Sequence, residues 1–471
     1  MTQTRSRSAA PPPSRGQRYR TTLRSTLRSI AERDRFVGAR LVRGWRLAKR
    51  WWIRRSLLRS VGLDQTAAAK GILEPLWVRP DKVVFCSGLE FPLLHYRDAV
   101  VAGDWDLSDK VFESLDVYEA IRDVLRDGTS TWEDTAWYAD VVGRISKGSV
   151  LWGCRSRDEF LRRLQFIESL YASMADEGYL MQRQLAERGD EFVTGYEIGI
   201  AIGRTGRLLF CDGAHRLAVA KLLGIEAIPV QVAVRHPDWD RFRTELAEYA
   251  RRSGGTLYQP ALHPDLARIP AQHTCEDRWS VLAPFFTGPS RSVLDIGANL
   301  GFFSNRLEDF GHRCTAIESD PILAYFAKVI RDANGHSFEI VNSSVLGGSL
   351  RGRTFQSVLA LNVFHHFLKT KRDLELLERL LATLRCEDLF FEPHSENEAQ
   401  MVGAYAPLSP SEFVEMVADK SGLTDIEYLA TTGDGRRLYR LRRPGGTGPS
   451  VATRPAFGCG GSQDSTHSPE C

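Results

Sequence analysis

The chain has 471 residues, of which 43% are hydrophobic and 26% charged, so it is long enough for two globular domains and too apolar for a disordered protein. Its net charge of +3 hides an asymmetry, because residues 1–60 contain 17 Lys and Arg but only two acidic residues. The remaining residues therefore carry −12 once the local +15 is taken from the total of +3, which excludes a uniformly basic protein that coats nucleic acid.

None of the eight cysteines forms a C-x-x-C pair, in which two residues separate the cysteines, as in zinc and redox motifs. This usage fits a reducing compartment. No apolar stretch approaches the roughly 20 residues that cross a bilayer, and the beginning lacks the basic and then apolar pattern of a secretory signal. We therefore expect a cytoplasmic protein, with peripheral attachment to a membrane as an option.

Residues 1–62 are predicted to form a basic arm. Residues 1–20 are rich in Arg, Ser and Pro, and this composition buries too little apolar surface to fold. From Thr21 to Gly62 apolar residues recur every three or four positions among arginines, which predicts an amphipathic helix. Such a helix could bind an anionic membrane surface or nucleic acid, or it could pack on the neighbouring domain with its arginines in solvent.

Residues 72–234 are assigned to a first domain of the α+β class, and its last part is the most informative. A strand, a hairpin turn, a returning strand, a helix and a further strand are predicted in this order: 197–202, 204–206, 207–211, 214–223 and 228–232. Unpaired N–H groups at the start of that helix favour an anion, and His215 and Arg216 add further donors.

The run Asp212-Gly213-Ala214-His215-Arg216 resembles the signature of the ParB/sulfiredoxin superfamily. The resemblance implies a phosphate- or nucleotide-binding site with these members: Asp212, Gly213, His215 and Arg216. Ala214 stands where sulfiredoxins need Cys, and chromosome-partition proteins carry Glu-Arg-Arg in this place, so neither peroxiredoxin repair nor DNA clamping is expected. Free serine kinases of the superfamily carry a similar run, so a kinase-like activity stays open, as does a helix start whose charged residues are only solvated.

Residues 235–276 are assigned to a linker and residues 277–443 to a second domain, in which apolar strands alternate with helical segments. This alternation predicts a doubly wound, Rossmann-like α/β sheet that ends in an antiparallel hairpin. The expected strands are 292–296, 314–318, 338–342, 357–362, 388–392, 426–429 and 437–441. Residues 444–471 are rich in Pro, Gly and Ser and are assigned to a disordered tail.

A glycine-bearing turn, Asp295-Ile296-Gly297-Ala298-Asn299-Leu300-Gly301-Phe302, follows the first of these strands. Glycine allows a ligand to approach the backbone closely. A dinucleotide fingerprint needs glycine at 299 and 302, where Asn and Phe stand, so pyrophosphate binding is disfavoured. Glu318 ends the next strand, 21 residues after Gly297, and a carboxylate there can accept both hydroxyl protons of a ribose.

This combination resembles the class I S-adenosylmethionine-dependent methyltransferases over about 165 residues. The resemblance implies S-adenosyl-L-methionine as cofactor and an acceptor, whether small molecule, glycan or other, that the sequence does not identify. The implied cofactor-binding residues are Asp295, Gly297, Asn299, Gly301, Glu318, Asn342, Ser343 and Asn362. The glycines would border the methionine part, Glu318 would bind the ribose, and Asp295 would orient the turn or bond the amino group. A nucleotide-free domain with the same turn is the alternative.

Methyl transfer depends chiefly on positioning and exclusion of water, and it needs a base only where the acceptor loses a proton. His365 and His366 follow the fourth strand at the edge where open sheets bind ligands, and either could be that base. Glu392 and His394 after the fifth strand are the further catalytic candidates. Nothing in their spacing, or in that of the nearby Glu396, demands a metal, so none is assigned.

Two functions of other classes remain open beside methyl transfer. One is a small-molecule kinase, with the first domain as catalyst and the second as a regulatory domain. The other is a non-enzymatic adaptor that binds nucleic acid or a membrane through residues 1–60.

Overall fold

The computed structural model describes residues 75–89, 98–189, 197–396 and 398–445, all of which fall within one compact unit. The predicted arm of residues 1–62 and nearly all of the predicted tail lie outside these ranges. Within them, none of the helices combines the length and the apolar character that crossing a bilayer requires.

The first sheet is built from strands β1 to β6: Leu76–Val78, Phe85–Cys86, Ala99–Val100, Ile198–Ile202, Leu208–Asp212 and Ile228–Arg235. The strand order is β1-β6-β4-β5-β2, and β3 pairs with β6. β4 and β5 form the expected antiparallel hairpin, whereas β4 and β6 run parallel. Helices α1 to α6 accompany this sheet: Asp116–Ile121, Ala136–Ser146, Arg157–Glu177, Gln182–Glu187, Ala214–Leu222 and Pro237–Arg252. The ParB/sulfiredoxin resemblance of this part remains a prediction.

Helix α3 is the long element beside the first sheet, and its ends follow from local chemistry. The hydroxyl of Ser156 accepts a hydrogen bond from a first-turn N–H, and Gly178 ends the helix with φ of +75°, which favours glycine. Phe160, Leu164 and Ile167 recur at helical spacing and are buried. This packing fixes the orientation of α3 and therefore of the arginines between its buried positions.

The structure differs from the sequence analysis at residues 235–276, which were expected to be a linker. Arg235 still belongs to β6, and α6 begins directly after it. Trp239 of α6 is fully buried, and its indole N–H donates to Asp265 at 2.9 Å. Arg235 binds the same carboxylate at 2.5 and 2.8 Å. Apolar residues at helical spacing give α6 a buried face, so this segment is part of the folded core, while the division into domains stays a prediction.

The second sheet is built from strands β7 to β13: Ser292–Ile296, Arg313–Glu318, Glu339–Asn342, Ser357–Leu361, Asp388–Glu392, Asp425–Thr431 and Arg437–Arg442. Its order is β12-β13-β11-β10-β7-β8-β9. Strands β7 to β11 pair in parallel, and β12 and β13 form an antiparallel hairpin. Helices α7 to α11 accompany it: Glu276–Leu282, Phe302–Asp309, Pro321–Ala333, Lys371–Thr383 and Pro410–Ser421. The predicted doubly wound sheet with a terminal hairpin is confirmed.

The order of the second sheet determines where a ligand can bind. From β7 the chain proceeds to β8 and β9 on one side and then to β10 and β11 on the other. Open α/β sheets bind ligands outside the carboxyl ends of the strands at such a switch point. The segments that follow β7, β8 and β10 are therefore the place to look for a site.

Candidate cofactor and active site

The turn after β7 is held in a conformation that suits glycine. Gly297 and Gly301 have φ of +71° and +75°, and Asn299 has +53°. The N–H of Gly297 donates to the carbonyl of Ile317 at 2.9 Å, which fixes the turn against β8. A Cβ atom on Gly297 would lie 2.9 Å from Cγ2 of Val363. The turn therefore approaches the segment after β10 as closely as a glycine backbone allows.

Glu318 connects the turn to the end of β8. Its Oε2 accepts the N–H of Asn299 at 2.9 Å, and its Oε1 accepts the N–H of Asp320 at 2.9 Å. A carboxylate has about four acceptor positions, so both oxygens retain capacity for ligand hydroxyls. Asn342 and Ser343 lie beside it, because the Asn342 side-chain amide and the Ser343 N–H both donate to the Glu318 carbonyl, at 2.8 and 3.0 Å. The structure thus places Asn342 and Ser343 beside Glu318, the predicted ribose-binding residue.

Asp295 lies beneath the turn rather than in it. Its side chain is buried, and its Oδ2 accepts the hydroxyl of Ser304 at 2.7 Å. Burial raises the pKa of Asp295 to about 6. Because Ser304 belongs to α8, this contact fixes the start of α8 to the end of β7, while the role of Asp295 in cofactor binding remains a prediction.

Asn362 directly follows β10 and has a left-handed conformation, with φ of +56°. Its side-chain N–H donates to the phenol oxygen of Tyr258, and its own Oδ1 is buried without a hydrogen-bond partner among the described residues. The Oδ1 of Asn299 is also buried and has no hydrogen-bond partner among the described residues. Native proteins seldom leave a buried acceptor unpaired, so each of these two oxygens requires a hydrogen-bond donor from a ligand or an ordered water.

Tyr258 is a site residue that the sequence analysis missed. It comes from the segment assigned to a linker, 104 residues before Asn362, and the ring of His273 packs edge-on against it with 4.7 Å between centroids. No local pattern marks a tyrosine in that segment as a site residue, because the contact depends on how the segment folds back over the sheet.

The two histidines after β10 occupy different environments. They lie on the short 3-10 helix Phe364–Leu368, in which successive side chains are about 120° apart. His365 is fully buried, and neither ring nitrogen finds a hydrogen-bond partner in the part of the chain that the structure describes. His366 is exposed, and its Nδ1 lies 3.4 Å from Nζ of Lys369. Burial lowers the pKa of both rings, that of His365 to about 3.

Glu392 and His394, the other catalytic candidates, form hydrogen bonds with other residues of the protein. Glu392 is fully buried, and both of its oxygens lie 3.0 Å from Nε of Arg278, with Thr432 as a third donor at 3.1 Å. His394 is buried, and its Nε2 lies 3.1 Å from the carbonyl of Leu408. Of the four candidates, His366 is therefore the one placed to meet an acceptor. No group of three metal-ligating side chains is assembled within the described ranges.

The four predicted phosphate-binding residues meet at the start of α5. Asp212 ends β5, and its Oδ1 accepts the N–H of Gly213 at 2.8 Å. Gly213 precedes the helix with φ of +91°. His215 is buried in the first turn, and Arg216 donates to Tyr179 Oη at 3.2 Å. The role of these residues in phosphate binding remains a prediction.

Comparison with known proteins gives limited matches. No protein-family model matches the chain, and no curated protein sequence does. Among solved structures, WbdD, described as a bifunctional kinase-methyltransferase, is 18% identical with a TM-score of 0.35, over 42% of this chain and 46% of that chain. The N-terminal domain of EvdMO1 with SAH bound is 14% identical with a TM-score of 0.32, over 43% of this chain and 97% of that chain. PH0226 from Pyrococcus horikoshii OT3 is 14% identical with a TM-score of 0.30, over 42% and 98%. The chain spans about half the length of the WbdD structures that it matches.

Proposed function

We propose that the second sheet binds S-adenosyl-L-methionine and that the protein transfers the methyl group to an acceptor. The observation that carries the proposal is the pair of buried, unpartnered amide oxygens of Asn299 and Asn362, as far as the described residues extend. Asn299 lies within the glycine turn and Asn362 follows β10, at the switch point of the sheet, and the Asn299 N–H donates to the carboxylate of Glu318. S-Adenosylmethionine carries the donors that such a site lacks, an ammonium group and two ribose hydroxyls.

Each of the residues around the turn contacts a different part of the cofactor. Gly297 and Gly301 allow the positive φ that the turn requires, and the Asn299 and Asn362 side-chain oxygens accept from the ammonium end. Glu318 accepts the ribose hydroxyls with the lone pairs that its two backbone donors do not use. Asn342 and Ser343 border the adenine from the end of β9, to which Asn342 belongs.

The bound sulfonium supplies an electrophilic methyl group, so the protein's remaining tasks are orientation, exclusion of water and removal of any acceptor proton. His366 is the base that the geometry favours, because it is exposed at the carboxyl edge of β10. Its lowered pKa keeps the ring neutral at pH 7.

Calorimetric titration with S-adenosylhomocysteine and S-adenosylmethionine tests the cofactor claim. We expect wild type to bind both and Glu318→Gln to lose at least tenfold in affinity, since the ribose loses a charged acceptor. The matched control is Glu339→Gln, which removes a carboxylate at the far end of β9, where it forms an exposed pair with Arg353. No binding by wild type, or equal loss in both variants, contradicts the proposal.

The acceptor requires a separate experiment. Incubation with methyl-labelled S-adenosylmethionine and fractionated cell extract asks whether label enters small molecules, glycans, nucleic acid or protein. His366→Gln should retain cofactor affinity and lose transfer wherever the acceptor must give up a proton. Loss of transfer in His365→Gln but not in His366→Gln would show that the assignment of the base is wrong.

A further inference from the structure

A cavity of about 760 Å³ is lined both by strands of the first sheet and by helices that accompany the second. Its walls come from β1, β2, the start of β5, residues 260–269, α8 and the end of α9. Ligand pockets in proteins have volumes of roughly 300–1,000 Å³. None of the candidate cofactor-binding, catalytic or phosphate-binding residues lines this cavity. It is therefore large enough for a small molecule and separate from the sites described above.

The wall of the cavity is more apolar than polar, and part of its apolar surface is open to solvent. Val78, Leu208 and Ala261 are buried in the wall. Trp77 and Val84 also line it, and they are 54% and 40% exposed. Exposed apolar side chains that are gathered in a concave surface favour the binding of an apolar group. The ligand that fits this wall therefore has an apolar body.

Seven Arg, Lys and Asp side chains line the cavity as well, and six of them have a partner of opposite charge. The ion pairs are Arg79–Asp81, Lys82–Asp309, Arg306–Glu276 and Asp332–Arg331. Each carboxylate in the wall therefore already has a cation. The seventh charged side chain is Arg207.

Arg207 is the cation of the wall that remains without an anion. It directly precedes β5 and is exposed, and no carboxylate in the part of the chain that the structure describes lies at ion-pair distance from it. Its guanidinium lies over the ring of Phe85, 4.7 Å from the centroid. A guanidinium that stacks on an aromatic ring keeps its N–H groups for a planar carboxylate, which it can bind with two hydrogen bonds.

We propose that this cavity binds a small carboxylic acid with an apolar body. The carboxylate pairs with Arg207, and the apolar body packs against Trp77 and the buried wall. One guanidinium balances the single charge of a carboxylate, whereas a phosphate monoester carries nearly two negative charges. The shared chemistry is one carboxylate on an apolar body, whether that body is an aromatic ring system or an acyl chain. The site goes beyond methyl transfer and does not depend on it.

Titration calorimetry on the full chain tests the site with four probes: naphthaleneacetate, naphthaleneacetamide, dodecanoate and acetate. Naphthaleneacetamide has the body of naphthaleneacetate without its charge, and acetate is a carboxylate without an apolar body. We expect wild type to bind naphthaleneacetate or dodecanoate at least tenfold more tightly than acetate, and naphthaleneacetamide more weakly than naphthaleneacetate. The preference between naphthaleneacetate and dodecanoate tells whether the natural body is aromatic or an acyl chain.

Two substitutions separate the contributions of charge and apolar contact. Arg207→Gln should weaken the preferred carboxylate at least tenfold and leave naphthaleneacetamide unchanged. Trp77→Ala should weaken the carboxylate and the amide alike. The matched controls are Arg313→Gln, because Arg313 is an exposed arginine at the start of β8, and Trp152→Ala, because Trp152 is 46% exposed. Neither control residue lines the cavity.

Three results would overturn the inference: no binding of either larger carboxylate by wild type, an amide that binds as tightly as its acid, or equal losses in Arg207→Gln and Arg313→Gln. A cooperative urea transition in each variant shows that it is folded. Wild type that binds S-adenosylhomocysteine but no carboxylate refutes this site alone, and the converse result refutes the methyltransferase proposal alone.

Discussion

The backbone N–H of Asn299 donates a hydrogen bond to Oε2 of Glu318, 2.9 Å away. This bond joins the glycine-bearing turn of β7 to the acidic end of β8, so the two sequence features that suggest a cofactor site form one unit. Removal of the carboxylate would leave the N–H groups of Asn299 and Asp320 without their acceptor. Substitutions in either feature should therefore disturb the other.

Replacement of Gly297 by alanine should damage the turn. A non-glycine residue at φ of +71° costs about 1–2 kcal/mol, and the new Cβ would lie 2.9 Å from Val363. We expect a loss of about 1–3 kcal/mol in the free energy of unfolding and at least tenfold weaker binding of S-adenosylhomocysteine. Urea denaturation and calorimetry measure the two effects. Gly288→Ala is the control, because its Cβ would meet nothing within 4 Å; a similar result for both variants would contradict the close approach at Gly297.

Replacement of Gly206 tests how the turn between β4 and β5 packs against helices α6 and α9. Its Cβ would collide with the indole of Trp239 and would lie 2.5 Å from Cβ of Ala333 in α9. Gly254 has nearly the same φ, +87° against +86°, but its Cβ would meet nothing within 4 Å. We expect Gly206→Ala to cost about 2–4 kcal/mol and Gly254→Ala only about 1 kcal/mol, measured by urea denaturation. Equal losses would show that the turn at Gly206 does not pack against α6 and α9.

The buried pair of Arg278 and Glu392 should be costly to break on one side. Arg278→Met leaves a fully buried carboxylate without its cation, so we expect a loss of about 3–5 kcal/mol in unfolding free energy. The double variant Arg278→Met with Glu392→Met should recover a large part of that loss, since it removes both charges. Arg79→Met, which breaks an exposed pair with Asp81, should cost less than about 1 kcal/mol. A double variant no more stable than the single one would show that the pair contributes net stability.

The fold of the second sheet was accessible from local signals. Its strands at 292–296 and 388–392 have the predicted bounds, because short apolar runs end at turn residues there. Glu318 was identifiable because a strand end places its side chain at the edge of the sheet where ligands bind. These inferences need only the neighbouring residues in the chain.

The rest of the site depends on contacts between distant residues. Tyr258 meets Asn362 only because its segment folds over the sheet, and Glu392 is neutralised by Arg278 from 114 residues away. The sequence does not distinguish His365 from His366, whereas the 3-10 helix buries His365 and exposes His366. Charge partners and burial are tertiary properties, so a sequence can suggest these residues without assigning their roles.

The buried ring of His365 should make the protein sensitive to acid. Burial lowers its pKa from the usual 6.5 to about 3, so between those values the unfolded chain binds a proton that the folded protein does not. Stability is therefore lost as the pH falls through this window, by about 1.4 kcal/mol per pH unit. Between pH 7 and pH 5 the contribution of His365 is about 2 kcal/mol.

Urea denaturation of wild type and His365→Phe at pH 7 and pH 5 measures this contribution. Other buried histidines, such as His215, act in the same direction in both proteins and cancel in the comparison. We expect the variant to lose about 2 kcal/mol less than wild type between the two pH values, because phenylalanine has no proton to bind in the unfolded chain. Equal losses in the two proteins would mean that His365 is already protonated in the folded state, with a partner that offsets its burial.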